Sequence, residues 1–225
     1  DNQTYPLQSE FDKTVWTNTY DIAPLLHRGK NVVGVMLGNG FYNIQAGRYA
    51  KVRQSYGPPT LWLKMTAETT SGRKVKVVSD KTWRWSESPV TFNCVYGGED
   101  YDARLEQPGW DRPGFNAKEW HAVVKQHGPK GTLREQMAPP AKIMERYAVQ
   151  DAHRLDSHTI VLDMGQNLAG FPEVTVSGEA GQTVTMYPAE RLYDNGTINQ
   201  SQSGAPHYYA YTLKGTGLES WHPRF

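Results

Sequence analysis

The run Thr60-Leu-Trp-Leu-Lys-Met-Thr-Ala67, followed by Lys74-Val-Lys-Val-Val78, decides the fold class. Apolar and polar residues alternate in both runs, and this alternation is typical of β-strands with one buried face. The residues Thr70-Ser-Gly-Arg73 between them are of the kind that form a hairpin turn. The two runs therefore predict a β-hairpin.

Short runs with the same character recur along the chain. The run Asn31-Val-Val-Gly-Val-Met-Leu37 predicts a buried strand. Further strands are predicted at 83–85, 143–149, 159–162, 172–177, 183–187 and 208–213, with Gly, Asn, Asp and Pro between them. Helical signals are limited to 21–26 and 116–120, where Asp21 and Asn116 are candidate caps. This pattern predicts an all-β chain built from β-sandwiches.

Residues 125–140 are the clearest boundary in the chain. They are polar, rich in Gly, Pro and charge, and end in Ala138-Pro-Pro140, which favours a stiff extended linker. We therefore predict two β-sandwich domains in tandem, at 1–137 and 138–225. The chain enters without an obvious first strand, and residues 221–225 stop inside a new one. We expect the first domain to be truncated at its start and the second at its end.

The composition argues against several classes of function. The 24 basic and 23 acidic residues are interspersed, so no nucleic-acid partner is predicted. No apolar run approaches the ~20 residues of a membrane span, and residues 1–4 do not resemble a signal peptide. Cys94, the only cysteine, is interpreted as a small core residue, and the seven histidines show no metal-binding spacing. No metal-ligating residue is predicted.

Aromatic residues are frequent, with seven Trp, thirteen Tyr and six Phe. Sugar-binding proteins use such residues because a sugar's C–H face stacks on a ring. The core of a β-sandwich uses them as well, so both interpretations stay open.

An acidic cluster contains Glu99, Asp100 and Asp102 beside Gly97-Gly98. Oxygen ligands on a flexible loop suit Ca²⁺ or sugar hydroxyls, although the spacing is not that of an EF-hand. The alternative is an acidic turn in which Asp102 pairs with Arg104 or caps a neighbouring backbone group. The carboxylates are too close in sequence to flank a glycosidic bond easily, so no catalytic residue is predicted.

Two other polar loops are candidates for function. In Leu37-Gly-Asn-Gly-Phe-Tyr42, Asn39 and Tyr42 offer an amide and a ring to a sugar, or else the Asn-Gly pair forms a purely structural turn. In the loop 163–171, Asp163, Gln166 and Asn167 either satisfy a β-turn or face a neighbouring domain.

Taken together, these stretches resemble the N-terminal half of bacterial α-L-rhamnosidases, glycoside hydrolase family 78. The resemblance covers nearly the whole chain and follows the family's order. It rests on Gly29-Lys-Asn-Val-Val-Gly-Val-Met-Leu-Gly-Asn-Gly-Phe-Tyr42, Gly98-Glu-Asp-Tyr-Asp-Ala-Arg104, Pro108-Gly-Trp110, Asp163-Met-Gly-Gln-Asn-Leu-Ala-Gly170, Ala189-Glu190, Tyr211-Thr-Leu-Lys-Gly215 and 221–225.

The resemblance implies a jelly-roll module followed by a concanavalin-like module. In the family, inverting hydrolysis of terminal α-L-rhamnose takes place on a downstream helical barrel, which this chain lacks. We therefore expect a non-catalytic accessory segment whose partners are the barrel of the same parent chain and rhamnose-containing glycans. The resemblance also implies a periplasmic or extracellular location.

The resemblance implies an alternative, a lectin-like module for L-rhamnose, because some relatives bind this sugar through Ca²⁺ on a jelly-roll module. Here Gly40 and Gly97-Gly98 leave few ligands, so no cofactor is assigned and Ca²⁺ is kept only as an alternative. The candidate carbohydrate-binding residues are Asn39, Tyr42, Asn93, Glu99 and Asp102. The candidate domain-interface residues are Asp163, Gln166 and Asn167.

Overall fold

The computed structural model describes residues 2, 3 and 7–224, and within them the chain is almost entirely strands and loops. Among these residues two single-turn 3₁₀ helices occur, at Ala23–Leu25 and Ala103–Leu105. The strands are β1 (Asn2–Gln3), β2 (Thr14–Thr17), β3 (Lys64–Glu68), β4 (Lys74–Val78), β5 (Arg84–Trp85), β6 (Val90–Cys94), β7 (Gly98–Asp102), β8 (His121–Ala122), β9 (Thr132–Glu135), β10 (Ala141–Lys142), β11 (Asp151–Arg154), β12 (Ile160–Asp163), β13 (Val174–Ser177), β14 (Thr183–Met186), β15 (Arg191–Leu192), β16 (Ile198–Asn199), β17 (Tyr209–Thr212) and β18 (Leu218–Trp221). The predicted all-β class is confirmed.

The hairpin predicted from residues 60–78 is present as β3 and β4, which pair antiparallel with Met65 opposite Val77. Alternate residues of both strands are half-buried, as the sequence pattern requires. The first strand begins at Lys64, four residues later than the alternation predicts. Before it, the Ser79 N–H still donates to the Leu63 carbonyl at 3.0 Å, but the Leu63 N–H donates to the Ser79 hydroxyl at 3.0 Å instead of to a backbone carbonyl.

Two predicted strands are absent from the described residues. Residues 31–37 form no strand, and all but one of them are exposed. At Gly34 the backbone lies against the Trp110 ring instead of against another strand. The contact is so close that a Cβ on Gly34 would lie 2.4 Å from the ring. Residues 143–149 also form no strand. The other predicted strands are present, with bounds shifted by a few residues.

A four-stranded sheet in the order β14-β17-β7-β6 organises the molecule. The hairpin β6–β7 comes from before residues 125–140, whereas β14 and β17 come from after them. The join between the two parts is the parallel pairing of β7 with β17, in which Tyr101 lies opposite Tyr211. Strands from both sides of the predicted boundary therefore share one sheet, and the division into 1–137 and 138–225 stays a prediction.

The principal core lies on this sheet and draws on both parts of the chain. The rings of Tyr101 and Tyr211 stack with centroids 5.9 Å apart, and Trp221 stacks 5.4 Å from Tyr211. Ala103 and Leu213 complete the buried cluster. Aromatic pairs of this kind contribute roughly 0.5–1.5 kcal/mol each beyond the area they bury. The core therefore depends on the two parts together.

The remaining strands form two-stranded ribbons. The pairs are β1–β10, β2–β9, β3–β4, β5–β8, β11–β12, β13–β18 and β15–β16, of which β2–β9 is parallel. In the described part of the chain, none of the helices is long and apolar enough to cross a membrane.

Candidate functional site

Asn39 and Asn93 lie together, as the carbohydrate-site prediction requires, and they bond to each other. The Asn39 N–H donates to Asn93 Oδ1 at 2.7 Å, and the Asn39 amide donates to the Asn93 carbonyl at 3.1 Å. The remaining amide oxygen of Asn39 accepts from Asn43 at 2.7 Å, and the Asn39 residue is only 6% exposed. This pair fixes the Asn-Gly turn to β6, and the amide groups of Asn39 already have protein partners.

Tyr42 belongs to a cluster of three half-buried rings. Its ring stacks on Tyr56 at 5.5 Å, and Phe11 packs edge-on against both at 5.2 and 5.1 Å. The Tyr56 N–H donates to the Tyr42 carbonyl at 3.0 Å, which holds the two loops together. Of the five predicted sugar-binding residues, Tyr42 is the one whose side chain offers an aromatic surface.

The three carboxylates of the acidic cluster point to three different partners. Glu99 is completely buried, and both its oxygens accept the Arg224 N–H at 3.1 Å. Asp100 pairs with the guanidinium of Arg48. Asp102 accepts from the Arg104 side chain at 2.7 and 2.9 Å. These three side chains therefore do not converge on one point, and Ca²⁺ binding stays a prediction.

Asp102 has the structural role that the sequence left open as an alternative. Besides the Arg104 side chain, it accepts the Arg104 N–H at 3.0 Å and so caps the 3₁₀ turn that follows. The Arg104 side-chain hydrogen bond holds the pKa of Asp102 below its usual value. Carbohydrate binding by Asp102, as by Asn39, Asn93 and Glu99, stays a prediction.

Arg48 is a central residue that the sequence analysis missed. Its side chain is only 7% exposed, and its guanidinium lies over the rings of Tyr208 and Phe92 at 3.5 and 4.2 Å. It also donates to the Tyr208 carbonyl at 3.2 Å while it pairs with Asp100. Arg48 thus links its own loop, the β6–β7 hairpin and the segment leading into β17. Nothing near Arg48 in the sequence signals this role.

The predicted interface loop lies at the end of β12 and is exposed. Asp163 accepts the Gly165 N–H at 2.7 Å, which closes a local turn at a glycine with φ of 78°. Gln166 and Asn167 follow on the exposed part of this loop. Asp163 therefore supports the turn, and an interface role for the loop stays a prediction.

A cleft of about 570 Å³ lies where the two parts of the chain meet. Its lining residues are Ala103, Arg104, Glu106, Pro108, Lys214 and Thr216. Glu106 accepts from the Tyr101 hydroxyl at 3.0 Å and from the Lys214 ammonium at 2.8 Å. Burial and then the Glu106 hydrogen bond raise the pKa of Tyr101 to about 12.

Beside the cleft, a second carboxylate organises the loop that carries Lys214. Glu219 is 5% exposed and accepts from the Tyr211 hydroxyl at 2.8 Å. It also accepts the N–H groups of Lys214, Gly215 and Thr216 at 2.8–3.2 Å. Burial raises the pKa of Glu219, but the Tyr211 and backbone hydrogen bonds outweigh that effect and lower it.

Comparison with known families identifies the family of this chain. Residues 1–145 match the α-L-rhamnosidase N-terminal domain, and residues 153–225 match the bacterial α-L-rhamnosidase concanavalin-like domain. The chain belongs to the α-L-rhamnosidase family. The resemblance stated from the sequence is thus confirmed, and so is the tandem arrangement of β-sandwich modules.

Curated α-L-rhamnosidases from Formosa agariphila and Streptomyces avermitilis are each 32% identical to this rhamnosidase chain, over 98% and 100% of it. A solved α-L-rhamnosidase from Dictyoglumus thermophilum matches it with a TM-score of 0.92 at 31% identity. The Streptomyces avermitilis enzyme, solved in complex with L-rhamnose, matches with a TM-score of 0.82 at 29% identity. Both matches cover the whole of this chain. It corresponds to 25% of the length of the Dictyoglumus thermophilum structure and 22% of the Streptomyces avermitilis structure. The chain also spans about a quarter of the length of the curated relatives, 24% and 22%.

Proposed function

We propose that this chain is a non-catalytic accessory segment of an α-L-rhamnosidase and supports a catalytic helical barrel of the same parent chain. The observation that carries the proposal is that the whole chain matches about a quarter of the length of a solved α-L-rhamnosidase. The acidic cluster supports it too, because Glu99, Asp100 and Asp102 are held by three separate partners. Glycoside hydrolysis needs two carboxylates facing each other across a bond, about 5–10 Å apart.

The accessory role calls for a surface that contacts the barrel, and the β11–β12 ribbon with its loop is our candidate. Ile160, Leu162 and Leu168 are 49%, 55% and 41% exposed there, next to the polar side chains of Gln166 and Asn167. Interfaces between domains of one chain combine apolar and polar groups in this way. The substrates handled by the parent chain are rhamnose-containing glycans, and its compartment is the periplasm or the exterior.

A direct assay tests the accessory role. The isolated chain is incubated with an aryl α-L-rhamnoside, and release of the aryl alcohol is measured. We expect no turnover above the uncatalysed rate. Turnover that copurifies with the chain and is lost on Glu106→Gln or Asp163→Asn would overturn the proposal.

A second candidate function is recognition of L-rhamnose, either through Ca²⁺ or without it. The ring cluster of Phe11, Tyr42 and Tyr56 favours it, because it combines aromatic surface with the polar side chains of Asn43 and Ser55, which bond to each other at 2.7 Å. The relative from Streptomyces avermitilis was solved in complex with this sugar.

Calorimetric titration of the chain with L-rhamnose, with and without Ca²⁺, tests recognition. Saturable heat that is lost in Tyr42→Ala supports a site at the ring cluster. An absence of heat under both conditions removes this candidate and leaves the accessory role alone.

A further inference from the structure

The cleft between the two parts of the chain has the features of a built site. We call it the joint cleft and define it by Ala103, Arg104, Glu106, Pro108, Lys214 and Thr216. Its volume of about 570 Å³ lies within the range of roughly 300–1,000 Å³ that is typical of small-ligand sites. One wall follows β7 and the other follows β17, so the parallel pairing of these strands creates it.

The polar groups of the joint cleft are held in place before any ligand arrives. Tyr101, which is 5% exposed, fixes one oxygen of Glu106, and Lys214 fixes the other. The opposite wall is held by Glu219, which accepts hydrogen bonds from the backbone N–H groups of residues 214–216. Groups fixed in this way lose little conformational entropy when they bind a ligand.

The same groups keep unused hydrogen-bonding capacity. The Lys214 ammonium has three N–H donors, and one of them donates to Glu106. Each Glu106 oxygen has a second lone pair beyond the bond that it already accepts. The Thr216 hydroxyl has no hydrogen-bond partner among the residues that the structure describes, and Arg104 uses only two of its three nitrogens on Asp102. The cleft therefore offers both donors and acceptors to a ligand.

Charge balance decides which class of ligand fits. Lys214 is neutralised by Glu106 and Arg104 by Asp102, at 2.8 and 2.7 Å. A site with no net charge gives no advantage to an anion. It suits adjacent hydroxyl groups, because each hydroxyl both donates and accepts. Pro108, which is exposed, supplies a small apolar surface for the C–H groups between them.

We propose that the joint cleft binds a neutral sugar residue through adjacent hydroxyl groups, with Glu106 as acceptor and Lys214 and Thr216 as donors. This site is separate from the ring cluster of Tyr42. It goes beyond the accessory role, which requires no ligand, and does not depend on it.

The test is a titration of the ¹⁵N-labelled chain with L-rhamnose, a neutral sugar with adjacent hydroxyls, followed through its amide resonances. We expect saturable shifts at the amides of 214–216, with a dissociation constant in the millimolar range. In Lys214→Met or Thr216→Val the affinity falls about tenfold, the loss typical of one hydrogen bond to a charged or fixed group. Lys76→Met and Thr66→Val, both at exposed positions on the β3–β4 hairpin, are matched controls and keep the affinity of the parent chain.

Three results would overturn the proposal. The first is no shift at residues 214–216 at any millimolar concentration of sugar. The second is binding that survives both Lys214→Met and Thr216→Val, or that shifts the amides around Tyr42 instead. The third is preferential binding of glucuronate, which would mean an anion site. Thr216→Val leaves the Glu106–Lys214 ion pair intact. If Lys214→Met fails to fold, the affinity of Thr216→Val therefore still tests the proposal. The hydrolysis assay for the accessory role is unaffected by any of these results.

Discussion

Gly98 lies directly against the carbonyl group of Tyr208, so that a Cβ on Gly98 would come within 2.0 Å of the Tyr208 oxygen. Gly98 also has a φ of 92°, which other residues rarely adopt. The contact lies at the start of β7, where the two parts of the chain come together. At this point the sheet has room for a backbone but not for a side chain.

Gly98→Ala is expected to destabilise the whole chain by at least about 2 kcal/mol, because it combines a strained φ with a collision against rigid backbone. Urea denaturation followed by tryptophan fluorescence measures the loss. Gly29→Ala is the matched control, since Gly29 has a φ of 103° but nothing within 4 Å of its Cβ position. An equal loss in both variants would mean that the Tyr208 contact contributes nothing.

Separating the two family regions is expected to unfold both. Residues 1–145 alone would leave β7 without β17, and residues 146–225 alone would leave Tyr211 and Trp221 without Tyr101. We expect one cooperative thermal transition for the full chain and none for either part, as measured by calorimetry and near-ultraviolet circular dichroism. A cooperative transition in residues 146–225 alone would contradict this expectation.

Arg48→Met is expected to lower the free energy of unfolding by about 2–3 kcal/mol. The substitution removes the partner of Asp100 but leaves that carboxylate some contact with water, which moderates the cost. Chemical denaturation of Arg48→Met, Asp100→Asn and the double variant gives the coupling energy between the two residues. Lys13→Met, which breaks an exposed pair with Glu10, serves as the control and changes the stability little. Coupling near zero would show that Arg48 acts only through its packing on Tyr208.

The stability of the chain is expected to fall as the pH rises from about 10 to about 12. The pKa of Tyr101 is raised to about 12 in the folded chain, first by burial and then by Glu106, whereas an unfolded tyrosine titrates near its ordinary value of about 10. The folded state therefore favours the neutral hydroxyl. The contribution of this raised pKa to the free energy of unfolding is complete below pH 10 and is lost as the folded Tyr101 ionises. Burial and Glu219 raise the pKa of Tyr211 in the same direction.

Urea midpoints measured across this pH range, together with the tyrosinate absorbance, check the prediction. Tyr101→Phe removes the Tyr101 titration and is expected to flatten part of the dependence. A stability that stays constant to pH 12 would contradict it.

Features set by neighbouring residues could be predicted from the sequence. The β3–β4 hairpin follows from alternation within 60–78, and the pairing of Asp102 with Arg104 was among the alternatives because the two residues are two positions apart. The prediction from local pattern was wrong for 31–37, where a nearly continuous apolar run indicated a buried strand. There the chain packs against Trp110 at Gly34, and no local pattern carries that information.

Contacts between distant residues could not be predicted in the same way. Arg48 and Asp100 are 52 positions apart, and Glu106 and Lys214 are 108 positions apart. The acidic cluster was visible in the sequence, but its three partners were not. A carboxylate facing a sugar and one facing a distant arginine look alike in a single sequence.

The parallel pairing of β7 with β17 has a consequence for the growing chain on the ribosome. At roughly 5–20 residues per second, Tyr211 is synthesised about 5–20 s after Tyr101. During that interval the outer edge of β7 has no partner strand and is a potential site of association with other chains. Glu99, Asp100 and Asp102 place three negative charges on this five-residue strand. Charges at an open edge discourage pairing with another copy, so we expect the acidic cluster to lower this risk until β17 emerges.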